Sequence, residues 1–220
     1  MAGQQDPAPS GLSGRPLSRD FFREDVLDVA PALLGATLTH AGVTVRLTEV
    51  EAYAGEQDPG SHAFRGPTPR TLVMFGQAGH LYVYFTYGMH WCANVVTGPQ
   101  GHASAVLLRA GEVVDGHEVA AARRHGIAER DWARGPARLA STLGLSGEHS
   151  GLDACGPGSA ALFRAPPRHV DLARVRTGPR VGVAGAGGDA AAYPWRFYLE
   201  GERSVSVYRP AKPRRRPGGA

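Results

Sequence analysis

The sequence predicts an α+β domain built on an antiparallel sheet. Strand-like segments follow one another in hairpin succession, and the helical segments are grouped rather than alternating with them. Gly (30) plus Pro (17) make 47 of 220 residues, about 21%, against roughly 12% in average usage. So many turn formers argue against a helical bundle. The 42% apolar residues suffice for one core, and no linker or internal repeat divides the chain.

Residues 1–16 are rich in Pro, Gly, Ser and Gln without periodicity and read as a disordered lead. Residues 17–34 read as helical in pieces, with Asp28 as a cap before Pro31 and Gly35 as the stop. Residues 36–40 and 43–53 read as two strands around the turn Ala41-Gly42. GEQDPG and RGPTPR fill residues 54–70, which must be loop, and 71–75 read as a short turn or helix. Two strands follow, at 80–87 and 89–96, broken at Gly88; GPQG at 98–101 is a turn and 103–110 a further strand. Asp115 with Glu118 three residues on suggests a capping box for a helix ending at Arg124. Pro136, between Gly135 and the later Gly144, frames a helix over 136–143. Short late strands are expected at 181–183, 195–199 and 205–208. The domain is thus bounded at 17–208, with a disordered basic tail at 209–220.

The charge is uneven. The net +4 comes from 24 Lys plus Arg against 20 Asp plus Glu; the last ten residues, AKPRRRPGGA, hold four basic groups and no acid. The body is therefore neutral, and the tail would add non-specific, salt-sensitive attraction to a polyanion. Lys212 is the only lysine, so chemistry through a lysine Schiff base in the core is excluded. Two cysteines, Cys92 and Cys155, give neither a disulfide framework nor a CxxC pair. No apolar leader opens the chain, and residues 81–96 are too short to span a bilayer. A cytoplasmic protein without membrane contact is expected, nucleoid-associated if prokaryotic.

Glu49 and Glu51 lie two apart in a strand and share a face with Leu47 and Tyr53. A carboxyl group beside aromatic rings is a candidate general base, although an isolated E-x-E is more often an exposed acidic face. The run LYVYFTYGMHWCANVV puts Tyr82 and Tyr84 on one face and Tyr87 at a hairpin tip beside Gly88. An aromatic at such a tip can wedge between bases and tyrosines on a sheet can stack on them; an aromatic-rich core strand is the ordinary alternative. Arg109 ends the strand ASAVLLR, and Arg65 and Arg70 flank the loop RGPTPR; each could meet a phosphate or simply be solvated. The nine histidines form no metal-ligand spacing. No G-x-S-x-G, P-loop or dinucleotide fingerprint is present. No cofactor and no metal are expected.

Taken together, EVEAYAGEQDPGSHAFRGPTPR (49–70), MFGQAGHLYVYFTYGMHWCANVV (74–96), AVLLRA (105–110), GPARLA (135–140), PRVGV (179–183) and PWRFY (194–198) resemble the alkyladenine (3-methyladenine, methylpurine) DNA glycosylase family. The likeness runs in order over roughly 17–208, and its first two motifs are highly specific. It implies a single domain with a curved antiparallel sheet, flanking helices and a protruding hairpin. It implies a monofunctional enzyme, acting as a monomer in base excision repair, that flips alkylated or deaminated purines out of double-stranded DNA. The N-glycosidic bond is then hydrolysed by water, leaving an abasic site.

By the same resemblance Glu51 activates the water, and Arg109 lies near that water and the phosphate of the flipped nucleotide. Tyr53, His62 and Tyr84 wall the base pocket, and Asn94 crowds a normal guanine's amino group. Tyr87 is the minor-groove wedge, while Thr68 and Met74 contact DNA near the lesion. The loop between His62 and Met74 is one residue shorter than in animal members, and His90, Trp91 and Ala93 vary around the Met-Cys-Asn frame.

The lysine count bears on mechanism independently: a glycosylase/lyase needs an amine for its Schiff base, so water is the consistent nucleophile. The alternative from another class is a non-catalytic nucleic-acid-binding module, for which a carboxylate facing DNA is hard to explain. A two-carboxylate glycosidase acting on carbohydrate would require Glu49 as well.

Overall fold

The computed structural model describes residues 14–211 apart from 157, 168 and 169. Of the expected lead at 1–16, residues 1–13 lie outside the described residues, as does most of the tail, Lys212 included. The last residues of the lead are held instead, with Pro16 bridging Arg164 and the Arg15 carbonyl accepting from the Ala165 amide.

Two short helices open the fold, α1 (Arg19–Arg23) and α2 (Val26–Ala32). The Ser18 hydroxyl accepts from the Phe21 amide, and the Asp25 carboxylate from the Leu27 amide at 2.8 Å. Asp25, not Asp28, is therefore the cap; Asp28 sits in the first turn of α2 and Pro31 in its last. The chain then turns at Gly35 (φ 78°) into β1 (Thr37–His40) and β2 (Val43–Tyr53). Ala41 and Gly42 between them both have positive φ, the geometry of a tight hairpin turn whose twist matches the strands.

After the long loop come β3 (Leu81–Thr86), β4 (His90–Val96) and β5 (Ala105–Asp115). Next are the helices α3 (His117–Arg123) and α4 (Pro136–Leu143). The capping box expected at Asp115 does not form. Asp115 still belongs to β5, and α3 starts after left-handed Gly116 with no side-chain cap. Helix α4 has Pro136 at its first turn and left-handed Gly144 as its stop, as the sequence predicts.

Three four-residue strands complete the sheet: β6 (Ala161–Arg164), β7 (Val175–Gly178) and β8 (Arg196–Leu199). Strands at 161–164 and 175–178 were not expected. Those expected at 181–183 and 205–208 are loops in the structure.

All strand pairs named here are antiparallel, in the order β3-β4-β5-β2-β1-β6, with β8 pairing both β2 and β7. The result is one eight-stranded sheet in an α+β domain. Strand β1 covers one edge of β2 over its first half, and β8 covers that edge from Glu49 to Glu51. The middle of β2 is thus hydrogen-bonded on both sides, which fixes the backbone under the site.

The main core joins Leu47 and Leu108 of the sheet to Phe22, Leu33, Leu139 and Phe163, all fully buried. Each such side chain contributes about 1.5–3 kcal/mol through removal from water. A smaller cluster of Ala63, Met74, Tyr82, Val96, Ala103 and Ala105 packs the loop onto the other end of β3 and β4. The β3–β4 hairpin runs out of this support: Tyr82 is buried, Phe85 half-exposed and Tyr87 85% exposed. Among the described residues, no helix is long and apolar enough to cross a membrane.

Candidate active site

The pairing of β2 with β5 slips by one residue at Glu49 and recovers at Val50. Leu47 faces Gly111, Glu49 faces Ala110, and Val50 faces Leu108. Thr48 and Arg109 are left without partners. Such bulges re-aim side chains beside active sites, and here the slip brings Arg109 against both strand carboxylates. Its Nε donates to Glu49 Oε1 at 2.9 Å, and its Nη1 lies 3.3 Å from Glu51 Oε2. Arg109 is therefore not at a strand end. It sits within β5 with a side chain only 7% exposed, and the two carboxylates push its guanidinium pKa upward against the cost of burial.

The two glutamates are built differently. Glu49 accepts from Arg109 Nε, Arg196 Nε and the Ser206 hydroxyl on Oε1, and from the Ser206 amide on Oε2. It is fully buried and spent on holding strands and loop together, so the free second acid of a carbohydrate-type carboxylate pair is missing. Glu51 accepts from the Val181 amide on Oε1 at 2.7 Å and from the Tyr53 hydroxyl on Oε2 at 2.8 Å. Both of these donors belong to residues that line a cavity of about 480 Å³.

Tyr53, His62, Met74, Tyr84, Asn94 and Arg109 line that cavity, with Tyr87 at its edge. Of the expected site residues, Thr68 and Glu51 do not line the cavity; Glu51 is fully buried behind it, bonded to the lining residues Tyr53 and Val181. Thr68 is exposed, and its hydroxyl and amide each lie 2.9 Å from the Thr71 hydroxyl, which orders the loop instead.

The Tyr84 ring stacks on Tyr82 at 5.5 Å and meets the edge of His62 at 4.6 Å. His62 Nδ1 lies 3.2 Å from the Tyr82 hydroxyl. His62 keeps an exposed edge, yet partial desolvation against the pocket walls, aided by the Arg70 charge, pushes its pKa down to about 4, so the imidazole is neutral at physiological pH. Burial likewise raises the Tyr53 and Tyr84 phenols, with Glu51 adding to the effect on Tyr53. The pocket walls are neutral aromatic faces. Asn94 donates Nδ2 to the Tyr82 carbonyl at 2.9 Å, which fixes its amide plane. Arg65 and Arg70 are exposed, with the Arg70 guanidinium 5.2 Å from the Tyr84 ring centre.

Tyr87 adopts φ 51° and Gly88 φ 67°, and the Met89 amide closes the turn on the Thr86 carbonyl. Two successive positive φ values make this a type I′ turn, whose first central position normally takes Asn, Asp or Gly. A tyrosine there costs about 1–2 kcal/mol and gains no packing in return, being 85% exposed.

A family model described as methylpurine-DNA glycosylase matches residues 20–203. The chain belongs to the methylpurine-DNA glycosylase family. Several bacterial relatives are similar over nearly their whole length. One from Frankia casuarinae is 51% identical over 96% of this chain and 99% of its own. One from Streptomyces avermitilis is 51% identical over 91% and 95%, and one from Leifsonia xyli subsp. xyli 53% over 87% and 92%. All three bear the name "Putative 3-methyladenine DNA glycosylase". Family membership makes this chain a hydrolase of the DNA-3-methyladenine glycosylase type, with DNA as its substrate.

Sequence reasoning missed several residues of this glycosylase site. Val181 serves through its backbone amide, which no side-chain pattern reveals. Arg196 and Ser206 hold Glu49 from the late segment. Asp58 and Arg180 form a buried ion pair behind Tyr53; their signal lay in the motifs GEQDPG and PRVGV, the second of which is weak alone.

Proposed function

We propose that this methylpurine-DNA glycosylase extrudes damaged purines, alkylated or deaminated, from double-stranded DNA and hydrolyses the N-glycosidic bond with a water activated by Glu51. The observation that carries this reading is Glu51 itself, a carboxylate held by the Val181 amide and the Tyr53 hydroxyl beneath an aromatic cavity.

A base inside the stack is out of reach, so it must be flipped at a cost of a few kcal/mol, which is lower where damage weakens pairing. Tyr87, presented on a strained turn, fills the gap left in the duplex and offsets part of that cost. Tyr53 and Tyr84 stack on the extruded base, and His62 closes the pocket. A cationic alkylpurine gains cation–π attraction from these neutral rings and departs as a neutral base. For such a cation Glu51 has only to orient and deprotonate water at C1′ while positive charge develops on the sugar, whereas a neutral deaminated purine must also take up a proton as it leaves. Arg109 sits beside that carboxylate, near the water and the flipped nucleotide's phosphate. Asn94, fixed by its bond to the Tyr82 carbonyl, crowds the exocyclic amino group of normal guanine.

Among the described residues, none lining the cavity carries an amine, in keeping with a monofunctional enzyme that leaves an abasic site for base excision repair. It acts as a monomer on DNA, with exposed Thr68 meeting the strand near the lesion and buried Met74 reaching the extruded nucleotide only through the cavity it lines.

The test is base release, with EDTA present, from duplexes carrying 3-methyladenine, 7-methylguanine, hypoxanthine or ethenoadenine. Release from the alkylated and deaminated substrates, and none from Glu51→Gln, is expected. Full activity of Glu51→Gln overturns the role of the carboxylate.

A further inference from the structure

Asp58 and Arg180 form an ion pair that the chemistry above does not use. Both side chains are fully buried. The pairing is two-pronged: Arg180 Nη1 lies 2.5 Å from Asp58 Oδ2, and Nη2 lies 2.7 Å from Oδ1. The same two nitrogens also donate to the Ala52 and Gly187 carbonyls at 2.9 and 2.7 Å. Stability alone does not account for such a pair, because the cost of desolvating two charges offsets much of their attraction, and apolar replacements often do as well.

The surroundings give a better account. The Arg180 guanidinium lies 4.5 Å from the Tyr53 ring centre and 5.3 Å from that of Trp195. Gly60 clears the space for it: a Cβ there would come within 2.4 Å of Arg180 Nη2. The residue after Arg180 is Val181, whose amide holds Glu51 Oε1, while the Tyr53 hydroxyl holds Oε2. One guanidinium therefore anchors the backbone that grips one carboxylate oxygen and backs the ring that grips the other.

We infer that Arg180, held by Asp58, is a positioning residue for base release, fixing the plane of the Glu51 carboxylate through the Val181 amide and the Tyr53 ring. The inference rests on the reading of Glu51 as the group that activates water. A lysine cannot replace the planar fork, because it offers neither the bidentate geometry nor the flat face.

The experiment uses the full chain with Arg180→Lys, Asp58→Asn and the double variant. Single-turnover base release is measured with enzyme in excess, alongside affinity for a duplex carrying a non-cleavable lesion analogue. Each single variant is expected to lower the rate constant by about 100-fold, the scale of a small misplacement of a reacting group. Affinity is expected to stay within about threefold. The double variant is expected to be no slower than the slower single, because the pair acts as one unit.

A purely structural role would lower the melting temperature and the active fraction but leave the rate constant intact, and that result overturns the inference. So does a loss in affinity that accounts for the whole effect. If Arg180→Lys does not fold, Asp58→Asn decides by the same criteria. Full activity of Glu51→Gln would remove the underlying reading, whereas normal rates in the pair variants with an inactive Glu51→Gln would remove this inference alone.

Discussion

The Tyr53 hydroxyl lies 2.8 Å from Glu51 Oε2, two residues back along the same strand. The bond ties the wall of the pocket to the carboxylate beneath it, so any displacement of the ring is passed to that carboxylate.

Tyr53→Phe keeps the ring and removes that donor. Hydrogen bonds to charged groups contribute about 1.5–3 kcal/mol. The single-turnover rate of base release is expected to fall about 10- to 100-fold, with lesion affinity nearly unchanged. An equal loss in affinity would show that the hydroxyl serves binding instead.

Glu49 and Glu51 are expected to separate cleanly by variant. Glu49→Gln leaves Arg196 without its carboxylate and Arg109 with Glu51 alone and should destabilise the fold by about 3–5 kcal/mol, read from denaturant unfolding. Glu51→Gln should keep the fold and lesion binding while abolishing release. A stable, inactive Glu49→Gln would reverse these roles.

Tyr87→Asn relieves the strain of a left-handed tyrosine and should raise stability by about 1 kcal/mol. Affinity for lesion duplex should drop more than affinity for the same lesion in single strand. Equal drops on both would argue against a wedge.

His62 is expected to titrate near pH 4 in the folded protein, followed by NMR of the imidazole. Its folded value lies below the ordinary 6.5. The unfolded chain therefore takes up the proton first, and His62 lowers stability progressively as pH falls from about 6.5 toward 4. Above that window it adds no pH dependence. A measured value near 6.5 would mean that the pocket leaves the ring in a water-like environment.

Much of this was readable in the sequence. The turn Ala41-Gly42 and the Gly88 break gave the central strand and the hairpin, because turn chemistry is local. The quoted motifs carried Tyr53, Tyr84 and Asn94 into one pocket, with Glu51 buried behind it. What failed was non-local. The four-residue strands β6 and β7 are too short to show a pattern, and valine-rich 181–183 and 205–208 read as strands although their backbones turn aside to serve carboxylates. Asp115 looked like a cap because its spacing to Glu118 is right, yet the β5 ladder still claims it. Arg109 looked like a strand end because nothing in the sequence marks a one-residue slip between two strands.

That slip has a consequence for how the chain tolerates change. The extra residue at Thr48 in β2 is matched by the extra residue at Arg109 in β5, so both strands leave the site in the alignment in which they entered it. Omitting either residue alone would turn a closed detour into an open one, inverting every later side chain of that strand relative to its neighbour. Length in this stretch can change without inverting a strand only in both strands at once. A deletion of Arg109 is thus a far larger lesion than its replacement by alanine, and omitting both residues together would restore a regular ladder with no arginine between its glutamates.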